Sequence, residues 1–182
     1  DSRHGYYTPP ALTIIKPVVA QHGMVVAQEK IAARIGADVL ARGGNAIDAA
    51  VATGFAMAVT YPRAGNLGGG GFMMIHLANS KQDIALDYRE TAPAAATRDM
   101  FLGPDGKPDP AKSRDSVLGI GVPGTVAVLA LALTQYGSGK FSLRDLLQPA
   151  IALARDGFVI ADDIADTLPD WHKRLAKWPS SR

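Results

Sequence analysis

The sequence predicts an α+β fold. Two stretches with helical periodicity, at about 28–42 and 46–60, precede two strand-like runs near 72–78 and 83–88, and further helical patterns follow from residue 125. With 182 residues and 47% hydrophobic side chains, the chain is the right size for one domain with a real core. Folding at this size buries roughly two-thirds of the extended surface. Aromatic residues make up only 7%, while Ala and Gly abound, so helices are expected to pack closely through small side chains.

Residues 1–29 read as extended and irregular, with Pro9, Pro10 and Pro17; Met24-Val-Val-Ala27 is expected to form a short buried strand. In the first helix Ile31, Ile35 and Val39 recur every fourth residue as one apolar stripe. Gly43-Gly44 supplies its C-terminal stop. Asn45, with Asp48 three residues on, resembles a capping box opening the second helix. That helix carries Ile47, Val51, Phe55, Met57 and Val59 with alanines between, so it is expected to be buried centrally until Pro62 stops it. A hairpin follows, turning at Asn79-Ser-Lys-Gln82.

Residues 93–124 are rich in loop signals, and Gly103-Pro-Asp-Gly-Lys-Pro-Asp-Pro110 reads as a surface excursion. Asp105 and Asp109 within it lack the repeating Asp-x-Asp-x-Asp-Gly pattern of a calcium loop. A helix is expected over 125–136 and another after the capping pair Ser142 and Asp145, with Pro149 kinking or restarting it and Gly157 closing it. A polar helical stretch over 161–178 would be anchored by Trp171 and Trp178.

Composition excludes several classes. A net charge of +2 is too small for a nucleic-acid footprint, and no basic run interleaves with aromatics. Zero cysteines exclude disulfides, thiolate zinc sites and a cysteine nucleophile, in either redox compartment. His4, His22, His76 and His172 are scattered, with no pair at metal-ligand spacing. Residues 117–133 form the longest apolar run, and Gly119, Gly121, Pro123 and Gly124 make it a poor membrane helix. Asp1-Ser-Arg-His-Gly-Tyr-Tyr7 has no signal-peptide character, and a removed signal leaves no trace.

The stretch 62–93 carries the chemistry. Its glycines, Gly65 and 68–71, would cost much entropy in any regular element, so they mark close backbone approach or positive φ. Phosphate loops lead from a strand into a helix; here the order is reversed, and no Lys-Ser or Lys-Thr follows. A tightly packed structural loop is the better reading. Arg89 lies just past the second strand, and its guanidinium is a planar fork suited to gripping a carboxylate. An ion pair with Glu90 or Asp87 is the competing reading.

Five motifs occur in order: Gly43-Gly-Asn-Ala-Ile-Asp-Ala-Ala50, Gly65-Asn-Leu-Gly-Gly-Gly-Gly-Phe72, Tyr88-Arg-Glu-Thr-Ala-Pro93, Gly121-Val-Pro-Gly124 and Gln148-Pro-Ala-Ile-Ala-Leu-Ala-Arg-Asp-Gly157. Together they resemble the N-terminal part of the large subunit of γ-glutamyltranspeptidase, over about residues 25–178.

The resemblance implies an N-terminal-nucleophile hydrolase fold, an αββα sandwich of two sheets between helical layers. It also implies a self-cleaving precursor whose small subunit begins with the nucleophilic threonine. The reaction would move a γ-glutamyl group from glutathione or a related donor such as glutamine to an amino acid, a peptide or water. No cofactor or metal is implied, and the location would be periplasmic or secreted. Arg89 would grip the donor's α-carboxylate, and no catalytic residue is expected in this chain itself. Residues 1–182 are expected to be a single-domain fragment of the large subunit, completed by the rest of that subunit and by the small one. A cephalosporin acylase of the same family is the nearest rival; a non-catalytic relative is another.

Overall fold

The computed structural model describes residues 17–181. The expectation for Pro9 and Pro10 lies outside the described residues. The first helix, α1, spans Lys30–Ala41. It begins two residues later than the periodicity predicts because Glu29 is its N-cap. Its carboxylate accepts the N–H groups of Ile31 at 2.9 Å and Ala32 at 3.0 Å. The helix closes on Gly43 at φ +86°, and the Gly44 N–H returns to the Val39 carbonyl at 3.0 Å.

Burial alone would raise the Glu29 pKa, but the Ile31 and Ala32 N–H groups and the Thr60 hydroxyl outweigh it and hold it below 4.5. A depressed carboxylate stabilises the fold above its unfolded pKa, and that contribution disappears as pH falls through the folded value. Glu29→Gln is therefore expected to cost about 1 kcal/mol near neutrality. The gap to the parent should close in acid below pH 4.5. Denaturant unfolding across pH checks this; a gap constant with pH would contradict it.

Asn45 and Asp48 form the expected capping box at the start of the second helix, α2, Ala46–Thr60. Ile47, Ala49, Val51, Ala52, Phe55 and Ala56 are all buried. Burying a side chain such as Phe55 is worth about 2 kcal/mol. Neighbours surround α2 on most sides: α1, then α4, Thr125–Tyr136, and α5, Leu143–Asp156. Val39, Ile75, Leu129, Ala132, Leu146 and Ala150 complete the core around it.

The hairpin consists of β1, Phe72–Leu77, and β2, Gln82–Asp87, antiparallel from Phe72↔Asp87 to Leu77↔Gln82. Ile75 points into the core, while Phe72 and Met74 face out at 64% and 73% exposure. Among the described residues this is the only sheet. The described residues thus form a mixed α+β arrangement of helices and one hairpin.

Four expectations are corrected. Met24-Val-Val-Ala27 is neither strand nor buried: Met24 and Val26 are 50% and 84% exposed, and only Val25 packs against the core. A strand needs a hydrogen-bonding neighbour, and none of the described residues provides one. Of the two outcomes expected at Pro149, the restart is ruled out: α5 runs unbroken past it while buried Leu146 and Ala150 hold that face to α2. The stretch 161–178 is divided into a single turn, α6, Asp162–Ala165, and α7, Leu168–Leu175, with Pro169 in the first turn of the latter. Its tryptophans are weak anchors, both more than two-fifths exposed.

The loop-rich region also holds an unexpected short helix, α3, Pro110–Arg114, capped by Asp109 and started by its proline. No helix among the described residues is long and apolar enough to cross a membrane.

Candidate functional site

The glycine loop between α2 and β1 is a packing device. None of Gly65 and 68–71 has positive φ, and at Gly65 and Gly70 close approach of backbone is what excludes a side chain, whereas Gly68 faces open space. A Cβ on Gly65 would lie 2.2 Å from the Met57 carbonyl oxygen in α2. One on Gly70 would lie 2.3 Å from the Tyr88 carbonyl oxygen and 2.9 Å from the Arg89 Cα. This agrees with the structural reading of the loop.

The stretch after β2 lies against that loop. The Tyr88 N–H donates to the Gly71 carbonyl at 3.1 Å, extending the hairpin ladder by one bond. Its ring packs over Gly71, where an added Cβ would come within 3.0 Å. Burial pushes the Tyr88 phenol above its ordinary pKa, so it stays neutral at physiological pH. Beyond, Thr91 bridges Val122, whose N–H donates to the Thr91 carbonyl at 2.9 Å. The returning chain then reaches Gly124, which also closes on the Tyr88 carbonyl, its added Cβ being 2.5 Å away.

Arg89 projects from this clasped segment into solvent. Its backbone N–H donates to Asp87 Oδ1 at 3.0 Å. Its guanidinium makes no ion pair or hydrogen bond among the described residues. The ion pair with Glu90 or Asp87 is therefore not formed. An Asp87 carboxylate turned to the backbone leaves the planar fork with all its donors available to a ligand.

Support for this site comes partly from residues that local sequence patterns do not reveal. Asn66 Nδ2 spans its own loop, donating to the Ala64 and Gly70 carbonyls, each at 3.4 Å. Its Oδ1 accepts the Thr125 hydroxyl at 2.6 Å, from the first residue of α4. The Gly69 carbonyl accepts both the Gly124 N–H at 2.9 Å and the Thr125 N–H at 3.1 Å. Nothing in local patterning links positions 59 residues apart. A separate apolar hollow, lined by Pro62, Ile164, Leu168, Trp171 and Leu175, does not include Arg89. Among the described residues no cluster of His, Asp or Glu could hold a metal ion.

Comparison with known proteins agrees with this architecture. The crystal structure of Helicobacter pylori γ-glutamyltranspeptidase superposes with a TM-score of 0.85 and 47% identity, covering 91% of this chain and 47% of that one. Cephalosporin acylase from Bacillus halodurans shares the fold at a TM-score of 0.75 and 27% identity, over 97% of this chain and 32% of that one. The fold is thus that of the N-terminal-nucleophile hydrolases.

In sequence, the glutathione hydrolase proenzyme of Escherichia coli K12 is 54% identical over 155 residues. That match covers 85% of this chain and 26% of the relative, so the chain spans about a quarter of that protein's length. Residues 32–182 match the profile of the γ-glutamyltranspeptidase family. The chain belongs to that family.

Proposed function

We propose that this chain is the N-terminal part of the large subunit of a γ-glutamyltransferase and glutathione hydrolase. The observation that carries this is the free guanidinium of Arg89, set in Tyr88-Arg-Glu-Thr-Ala-Pro93 at the end of β2. A bidentate grip on the donor's α-carboxylate fixes one end of the molecule and places its γ-amide at a set distance. The nucleophile is a threonine at the N-terminus of a small subunit released from the same precursor. Its own amine serves as base, taking the hydroxyl proton as oxygen attacks the γ-carbonyl. The γ-carbonyl carbon–nitrogen bond then breaks, the departing amine taking the proton back from the threonine α-ammonium. The resulting ester passes its γ-glutamyl group to an amino acid, a peptide or water, whose proton returns the threonine hydroxyl. This chemistry needs no metal or cofactor.

The relatives support this reading over the rival. In sequence, identity is 54% with a protein named glutathione hydrolase proenzyme and 38% with one named acylase ACY 1 proenzyme, from Pseudomonas sp. (strain V22). The Arg89 fork selects a donor that carries a carboxylate, and a neutral acyl chain would leave it unused. Residues 1–182 act as one domain, completed by the remainder of the large subunit and by the small subunit. The mature enzyme is periplasmic or secreted.

Intact mass spectrometry with N-terminal sequencing of the full-length protein's co-purifying chains tests the proposal. A partner beginning with threonine is expected. An uncleaved protein, or a partner beginning with another residue, would overturn it.

A further inference from the structure

Arg89 has no side-chain partner to hold it among the described residues, so its placement depends on its backbone. That backbone is confined by two glycines from distant parts of the chain. A Cβ closer than 3.0 Å to a backbone atom forces something to shift. At Gly70 an added Cβ would meet the Tyr88 oxygen at 2.3 Å, the Arg89 Cα at 2.9 Å and the Glu90 nitrogen at 2.9 Å. At Gly124 it would meet the Tyr88 oxygen at 2.5 Å and the Tyr88 Cβ at 2.9 Å. The obstacles are backbone and Cβ atoms, which cannot swing aside as a flexible side chain would. Neither glycine has a positive φ, so conformational freedom does not explain them.

The two glycines are also fastened to each other. The Gly69 carbonyl takes both N–H groups at the start of α4, and the Thr125 hydroxyl closes on Asn66. Loop, helix start and Arg89 segment are therefore joined by direct hydrogen bonds and backbone contacts.

We propose that Gly70 and Gly124, locked together by Asn66 and Thr125, are positioning residues that set where Arg89 meets the donor's carboxylate. The proposal rests on the carboxylate-clamp reading of Arg89. A misplacement of about 1 Å at a binding group can cost on the order of a hundredfold in kcat/KM. Such a loss should fall on donors that carry the carboxylate.

The experiment uses the full-length protein and two donors, a γ-glutamyl anilide and the matching 4-aminobutyryl anilide, which lacks the α-carboxylate. In Gly70→Ala the KM for the γ-glutamyl donor is expected to rise about tenfold or more, with kcat within about threefold. Turnover of the carboxylate-free donor should not change. Gly68→Ala, where an added Cβ meets nothing within 4 Å, should match the parent with both donors.

Arg89→Ala measured alongside separates the two layers. If it raises KM while a folded, self-cleaved Gly70→Ala does not, the positioning proposal fails and the clamp stands. If Arg89→Ala itself leaves KM unchanged, the clamp fails and takes the proposal with it. Should Gly70→Ala not mature, Thr125→Val decides: it removes the 2.6 Å tie to Asn66 without adding bulk at Arg89. A selective KM rise of about threefold supports the proposal, and equal effects on both donors overturn it.

Discussion

Arg89→Ala is expected to fold and self-cleave as the parent does, yet to lose roughly a hundredfold in affinity for a γ-glutamyl donor, because a charge-assisted bidentate contact disappears from a site that the donor itself desolvates. Folding should be untouched because the guanidinium holds nothing else among the described residues. The backbone N–H that binds Asp87 survives the substitution. The loss should appear chiefly in KM, as the carboxylate is bound equally in ground and transition states. Arg89→Lys keeps the charge but not the fork, so it should restore only part of the affinity. Steady-state kinetics with a γ-glutamyl donor, beside a measure of precursor cleavage, gives the result. Unchanged KM in the alanine variant would remove Arg89 from the donor site.

How far sequence reaches here depends on whether the deciding interaction is local. The Asn45 and Asp48 box, the Ser142 and Asp145 box and the Gly43 stop are each settled within a few residues, and all three lie where patterning places them. The burial of α2 follows equally from its own composition. Met24-Val-Val-Ala27 fails because an apolar β-branched run becomes a strand only beside another strand. The start of α1 is displaced because Glu29 turns back on the helix N-terminus, where patterning favours shorter caps.

At the site, sequence supplies Arg89 and both glycine motifs but leaves the arginine's ion pairing open. The choice depends on where Asp87 points, and only the fold reveals that it faces a backbone N–H. The contacts among Gly70, Gly124, Asn66 and Thr125 are likewise tertiary. A glycine motif can be seen in a sequence; what it presses against cannot.

The largest loss of stability is expected at Asp48, which is fully buried beneath the junction of α2 and the loop after α4. One carboxylate oxygen accepts the Asn45 N–H at 2.8 Å, closing the capping box. The carboxylate also accepts the Ser138 N–H, at 3.2 Å to Oδ1, across 90 residues of sequence. Asn45 reinforces the same junction, its Nδ2 donating to the Tyr136 carbonyl at 2.7 Å. Asp48→Ala removes both acceptors and strands two part-buried N–H groups, each costing about 1–3 kcal/mol when left unpaired. A total near 3 kcal/mol is expected, a large share of the stability of an ordinary domain. Gly44 and Gly137 already crowd the carboxylate, with added Cβ atoms at 3.1 Å and 2.9 Å, so little room exists for a larger replacement. Asp48→Asn keeps one carbonyl acceptor and should cost about half as much. Chemical denaturation of the parent and both variants measures the series. Because Asp48 lies away from Arg89's clasp, whatever Asp48→Asn protein folds should bind donor with the parent's KM. If stability were unchanged in Asp48→Ala, water would have to replace both acceptors, and the buried carboxylate would not be what joins α2 to the end of α4.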